Sequence, residues 1–260
     1  MPTAATVHPR VSVNSICSMN LTFEQDLALW AELGVDHVGL ITPKIDAAGH
    51  EFATKAVLAS GLRVSSASCY RDAVADSIEL TAAVRSPVLY FPAGRSTGAP
   101  WEDQAADLAE EIRPLAARAE QLGVRLAIEP TNPLRTDVSF LHCVRDAVAF
   151  ARTAAVGIVV DVYSAWYERD IEALVRDNVD LVALVQLCDY RLGTFTMPNR
   201  VAVGDGDIPV ERLVAAVLDA GYAGAFDLEI LGPVIEEEGY RDPIARSLER
   251  VSAMLEQMKG

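Results

Sequence analysis

The sequence is poor in lysine, histidine and cysteine. Lysine occurs only at positions 44, 55 and 259, and histidine only four times. Twenty-two Lys and Arg stand against 37 Asp and Glu, a net charge of −15. The arginines are scattered and form no basic stripe. Phosphate backbones and anionic membrane surfaces repel such a chain, so neither nucleic acid nor a membrane is expected as a partner. Cys17, Cys69, Cys143 and Cys188 lie far apart, with no Cys-x-x-Cys pair. That argues against a zinc ribbon and against a disulfide framework. No apolar run approaches the roughly 20 residues of a membrane span. Residues 1–10 contain no apolar segment of the signal-peptide kind. The expectation is a soluble, cytoplasmic protein with reduced thiols. With 51% hydrophobic and 23% charged residues, the composition is that of a globular chain rather than a disordered one.

What is present is an alternation. Short apolar or β-branched runs are followed by longer segments at helical spacing. Strands are expected over Val11–Ile16, His37–Leu40, Arg63–Ser68, Val88–Phe91, Arg125–Ile128, Gly157–Val160, Ala183–Leu187 and Ala225–Leu228. Helices are expected over Phe23–Leu33, Glu51–Ala59, Ala73–Arg85, Trp101–Leu122, Ser139–Thr153, Glu168–Asn178, Pro209–Ala220 and Pro243–Met258. Gly34, Gly61, Gly123 and Gly221 each follow a helix, where a left-handed residue is wanted. Eight strand–helix units in 260 residues fit an α/β chain folded as one (β/α)8 TIM barrel, a single domain over residues 1–260. A doubly wound open sheet is the runner-up, but the turn after the first strand has no glycine-rich fingerprint. The longest irregular stretch is Asp189–Ile208, and long loops in compact domains are often functional.

In such a barrel the active site lies at the C-terminal ends of the strands. Glu129 follows Leu126-Ala127-Ile128, Asp161 follows Ile158-Val159-Val160, and Glu229 follows Phe226-Asp227-Leu228. Gln186 sits within Leu184-Val185-Gln186-Leu187. Four oxygen-bearing side chains thus end strands five to eight and face one mouth. Three carboxylates gathered there repel one another unless a cation neutralises them, and a divalent ion is the simplest to supply. A set without His or Cys suits hard Mg²⁺ or Mn²⁺ better than Zn²⁺. Asp227 points opposite to Leu228 by alternation and reads as a barrel-wall residue paired with Arg or Lys.

The chain resembles the xylose-isomerase-like TIM barrels, the sugar phosphate isomerase/epimerase superfamily of hydroxypyruvate isomerases, ketose 3-epimerases and inosose dehydratases. The resemblance rests on Ala127-Ile128-Glu129-Pro130, Val160-Asp161-Val162-Tyr163-Ser164-Ala165-Trp166, Val185-Gln186-Leu187-Cys188-Asp189, residues 204–209 and residues 221–230. It spans the chain and is strongest from residue 124 onward. It implies that Glu129, Asp161, Gln186 and Glu229 ligate Mn²⁺ or Mg²⁺. It also implies that Glu129 and Glu229 act as two bases on opposite faces of a small hydroxy-carbonyl substrate, passing a proton through an enediolate. Gln186 stands where many relatives have His, as it does in hydroxypyruvate isomerases. Ser164 stands where most have the His of Asp-x-x-His.

Around the mouth, Arg200, Trp166, Tyr163 and Asn132 are candidate substrate contacts. Lys44 and Tyr70-Arg71 follow strands two and three and reach the same face. The expected activity is that of a divalent-metal-dependent isomerase or epimerase, and the resemblance is compatible with homo-oligomers. A dehydratase or lyase on the same site, and a non-catalytic accessory barrel with a degenerate metal site, are the alternatives. The zinc-cluster endonuclease branch of the fold is disfavoured by the acidic charge and the lack of site histidines.

Overall fold

The eight short apolar runs become parallel strands whose backbone hydrogen bonds continue from one to the next until the sheet closes on itself. In the computed structural model, which describes residues 7–258, the strands are β1 (Val11–Asn14), β2 (His37–Ile41), β3 (Arg63–Ser68), β4 (Val88–Pro92), β5 (Arg125–Glu129), β6 (Gly157–Asp161), β7 (Val182–Leu187), β8 (Asp189–Tyr190), β9 (Arg200–Val201) and β10 (Phe226–Leu228). All but β8 and β9 form a closed barrel in the order β1-β10-β7-β6-β5-β4-β3-β2. The helices are α1 (Phe23–Leu33), α2 (Thr42–Ala48), α3 (His50–Ser60), α4 (Val74–Ala83), α5 (Trp101–Gln121), α6 (Val144–Ala154), α7 (Val162–Ala165), α8 (Ile171–Asp177), α9 (Val210–Asp219), α10 (Pro233–Glu238) and α11 (Arg241–Gln257). No helix among the described residues is long and apolar enough to cross a membrane.

The two faces of the strands are buried differently. Outward-pointing Val11, Val13, Leu89, Phe91, Phe226 and Leu228 pack with helix residues such as Trp30, Ile112, Phe150 and Val251 in one large core. A second, small cluster consists of strand residues alone: Val88, Tyr90, Ala127, Val159 and Leu184. It fills the barrel axis, where inward side chains from neighbouring strands meet. The axis also holds polar groups. Asp227 is fully buried and accepts from Ser12 Oγ at 2.5 Å and from Asn14 Nδ2 at 2.8 Å. Serine and asparagine, not the expected Arg or Lys, satisfy it. Gly39 leaves the room: a Cβ there would lie 2.6 Å from Asp227 Oδ2.

Several features depart from the sequence reading, among them the unexpected helices α2 and α10. The first strand stops at Asn14, whose side chain accepts from Ile16 N and opens a 3-10 turn over Ser15–Ser18. The helix expected from Ser139 begins only at Val144. Ser139 Oγ instead bonds both the N–H and the carbonyl of Leu141, which holds the approach extended. The helix expected over Glu168–Asn178 is shortened to α8, because Glu168 leaves it to cap α6, accepting from Val144 N at 2.8 Å and Arg145 N at 3.0 Å. Finally, the stretch Asp189–Ile208 contains an antiparallel pair, with Tyr190 opposite Arg200 and Asp189 opposite Val201.

Candidate active site

The strand ends place the expected quartet together. Glu129 and Asp161 are the last residues of β5 and β6. Gln186 of β7 is in register with Asp161 on one side and with Asp227 on the other. Glu229 follows β10 directly and donates its backbone N–H to Leu187 O at 2.9 Å. Glu129, Asp161 and Glu229 line a cavity of about 230 Å³ at the barrel mouth. Its walls are largely apolar: Ile16, Met19, Ile41, Pro43, Val138 and Leu231 are among them.

The hairpin β8–β9 brings Arg200 over this mouth. Its guanidinium grips Asp161 with two bonds, Nη1 to Oδ1 at 3.1 Å and Nη2 to Oδ2 at 2.9 Å. Nη2 lies 3.3 Å from Glu229 Oε1, and Nη1 donates to the Glu229 backbone carbonyl at 3.2 Å. The guanidinium carbon sits 4.6 Å from the centre of the Tyr163 ring, a cation–π contact. Asp161 has a further role as the cap of α7, where Oδ1 accepts from Tyr163 N at 3.0 Å. Ser164 Oγ donates to Oδ2 at 3.4 Å.

Gln186 is fully buried, and its amide nitrogen donates to Glu229 Oε2 and, at 3.0 Å, to the Tyr90 hydroxyl. The Tyr90 hydroxyl also accepts from Asn14 Nδ2 at 3.2 Å. A polar chain therefore runs along the barrel interior from Asp227 through Asn14, Tyr90 and Gln186 to Glu229. Tyr90 and Asn14 were missed in the sequence. Tyr90 lies two residues from the inward Val88 and so shares its face, and that spacing was the available signal.

Charge shapes the site. Burial, with Glu229 and Asp161 nearby, holds the Glu129 carboxyl well above the ordinary carboxylate range. Burial pushes Glu229 up to about 7, against the pull of Arg200. Burial works against the Arg200 charge as well, but Asp161 and Glu229 outweigh it and keep the guanidinium protonated. Glu129 alone of the three carboxylates makes no hydrogen bond or ion pair with the described residues; it faces the cavity free.

The quartet can be tested against a divalent ion on the chemistry of its donors. Both Asp161 oxygens are already held by Arg200 and by α7. Glu229 is held by Arg200 and by the Gln186 amide nitrogen. Gln186 leaves only its buried Oε1 without a partner. A hard divalent ion takes about six oxygens, some of them water, and of the quartet only Glu129 and Gln186 Oε1 have no partner. Among the described residues no group of three or more His, Cys, Asp or Glu is placed to hold a metal ion. As arranged, the four residues do not fit a divalent ion unless Arg200 leaves.

Of the other candidates, Tyr163 and Asn132 line the cavity. The Tyr163 hydroxyl donates to Asn199 Oδ1 at 2.5 Å, and Asn132 Oδ1 also accepts from Leu134 N in a turn. Trp166 does not line it; it lies along a neighbouring hollow with Tyr167 and Phe195. Tyr70 is at the cavity rim. Arg71 turns away to Glu111, at 2.5 Å. Lys44 is locked beneath the rim by Asp26 at 2.5 Å and by the carbonyls of Ser15 and Ser18. None of the four histidines lines the cavity.

Comparison with known proteins agrees with this architecture. No curated protein matches the chain. Among solved structures, protein SMc04130 from Sinorhizobium meliloti 1021 superposes with a TM-score of 0.83 at 21% identity, over 93% of this chain and 97% of that one. The IolI protein with a bound zinc atom gives 0.82 at 14% identity, over 96% and 99%. L-ribulose 3-epimerase gives 0.78 at 16% identity, over 97% and 96%. At these identities the likeness shows the fold. The profile of one family matches residues 27–250, well over half of the sequence. The chain belongs to the xylose isomerase-like TIM barrel family.

Proposed function

We propose that the chain is an isomerase or epimerase of a small, unphosphorylated hydroxy-carbonyl compound of sugar-like kind, with Glu129 and Glu229 as its acid–base pair. The observation that carries this reading is the state of the two glutamates. Both line the cavity and both are held by burial above the ordinary carboxylate range. Raising a carboxyl above its ordinary range makes its ionised form a stronger base and keeps more of the group protonated.

In this reading one glutamate, ionised, takes the proton from the carbon beside the carbonyl. The other, protonated, delivers one to the neighbouring carbon or to the opposite face of the same carbon. The Gln186 amide and Arg200 hold Glu229 in place, while Glu129 is free to approach the substrate. Tyr163 and Asn132 contact the substrate from the wall. Trp166, behind the cavity, is assigned no contact. Only two cations line the cavity, Arg135 and Arg200, and each pairs with a carboxylate, Asp137 and Asp161, so the lining carries little net positive charge for a phosphate. The Mn²⁺ or Mg²⁺ implied by the resemblance would require the displacement of Arg200, and no proton transfer in this scheme is routed through it. Bound after such a displacement, either ion would supply Lewis acidity at the carbonyl oxygen.

The test is a panel of neutral ketoses, hydroxypyruvate and cyclic polyol-ketones, followed by NMR and mass spectrometry. The expected product has the mass of its substrate. A product lighter by one water would instead make the chain a dehydratase on the same acid–base pair. No conversion of any member, by a folded protein, would favour an accessory barrel.

A further inference from the structure

We propose that Arg200 is the resident cation of this site: its guanidinium fills the position between Asp161 and Glu229 that a divalent ion would occupy, and the protein works without one. Arg200 fills this position whether or not the reaction above is the right one.

The first observation is saturation. The two Asp161 oxygens accept from Arg200 Nη1, Arg200 Nη2, Tyr163 N and Ser164 Oγ. A carboxylate offers about four acceptor positions, and here four donors take them. An incoming ion would have to strip off a two-pronged charge-assisted pair, the strong kind of hydrogen bond.

The second observation is that Arg200 is built in rather than resting there. It is 9% exposed. Its backbone is fixed by β9, and its N–H donates to Leu231 O at 3.1 Å. The guanidinium is clamped between the Tyr163 ring and the Glu229 backbone carbonyl. A cation held by both its backbone and its head group is not a mobile arm.

The third is the donor set left over. Gln186, at the position where a strong imidazole ligand would be most useful, is neutral and turns its NH₂ toward Glu229. Its Oε1, buried and without a partner, and the free Glu129 carboxyl are the donors of the quartet that Arg200 and Gln186 Nε2 leave unengaged. The Nη2 contact to Glu229 Oε1, at 3.3 Å the longer of the two ion pairs, is the one that a substrate oxygen can replace. Arg200 would then face the charge that develops on that oxygen, as a fixed electrophile.

The experiment is Mn²⁺ titration of the chelator-stripped full chain, read by the electron paramagnetic resonance of free Mn²⁺, with Arg200→Met and Arg200→Met/Glu229→Gln alongside. Wild type is expected to bind no Mn²⁺ at the site up to about millimolar concentration. Arg200→Met, which releases Asp161 and Glu229 from the guanidinium beside the already free Glu129, is expected to bind one ion at least ~10-fold more tightly than wild type, and the double variant to lose it. A wild-type site of micromolar affinity would overturn the proposal. So would a folded Arg200→Met that binds no better than wild type. Should Arg200→Met not fold, crystals of wild type grown with Mn²⁺ decide. The expected result is the guanidinium on Asp161 with no anomalous peak beside it; a peak there with Arg200 displaced overturns the proposal.

Discussion

Arg200 and Asp161 are joined by a two-pronged ion pair, Nη1 to Oδ1 at 3.1 Å and Nη2 to Oδ2 at 2.9 Å, with both side chains buried at the mouth of the barrel. The residues are far apart in sequence, and the pair ties the β8–β9 hairpin to the end of β6. Removing one member of a buried pair leaves the other charge poorly compensated. Asp161→Asn is therefore expected to destabilise the fold by about 3 kcal/mol. Asp161→Asn/Arg200→Met is expected to recover part of that loss. Urea denaturation of the three proteins checks this; equal stability of Asp161→Asn and wild type would contradict it.

Asp227 gives the stability a pH dependence. Burial raises its carboxyl to about 6, although Ser12 and Asn14 bond to it. Between the ordinary carboxylate value and 6, the folded chain holds a proton at Asp227 that the unfolded chain has released. Stability contributed by this group is thus full at low pH and falls as pH rises through that window. Holding the carboxyl at about 6 rather than its ordinary value corresponds to about 3 kcal/mol. Denaturation midpoints at several pH values from 4 to 8 are expected to fall more steeply in wild type than in Asp227→Asn. Parallel profiles would contradict the assignment.

Glu168 caps a helix more than 20 residues before it in the chain, by accepting from Val144 N and Arg145 N. Glu168→Ala is expected to cost about 1 kcal/mol, the usual worth of a lost cap, and to increase amide exchange at the start of α6. Unchanged exchange there would contradict the role.

The strand ends were more legible in the sequence than the contacts across the mouth. Glu129, Asp161, Gln186 and Glu229 could be found because each terminates or interrupts a short apolar run, and the barrel brings consecutive strand ends together. The embrace of Asp161 by Arg200 could not be found. It depends on two-residue strands, too short to carry a period, that fold the loop back across the mouth. The start of α6 was misplaced for a related reason: Ser139 bonds locally, and the cap comes from Glu168 in a later loop. Local spacing shows which face a residue presents. It does not show which distant side chain satisfies it.

The glutamate pair sets the expected pH–rate profile. In the proposed reaction the base must be ionised and the acid protonated, and burial lifts both carboxyls above the ordinary carboxylate range. The two share one environment, so the profile reports the pair rather than either residue. The ratio kcat/KM is expected to be bell-shaped, rising as the base ionises and falling as the acid deprotonates. A flat profile from pH 5 to 9 would contradict paired carboxyl catalysis.

The most direct test of the account is deuterium wash-in from D₂O, followed by NMR at the carbon beside the carbonyl of whichever panel compound is turned over. Wild type is expected to exchange that hydrogen. Glu129→Gln and Glu229→Gln, folded by circular dichroism, are each expected to lose at least ~100-fold of the exchange rate. Exchange at the wild-type rate in either variant would contradict the claim that these two glutamates carry the proton.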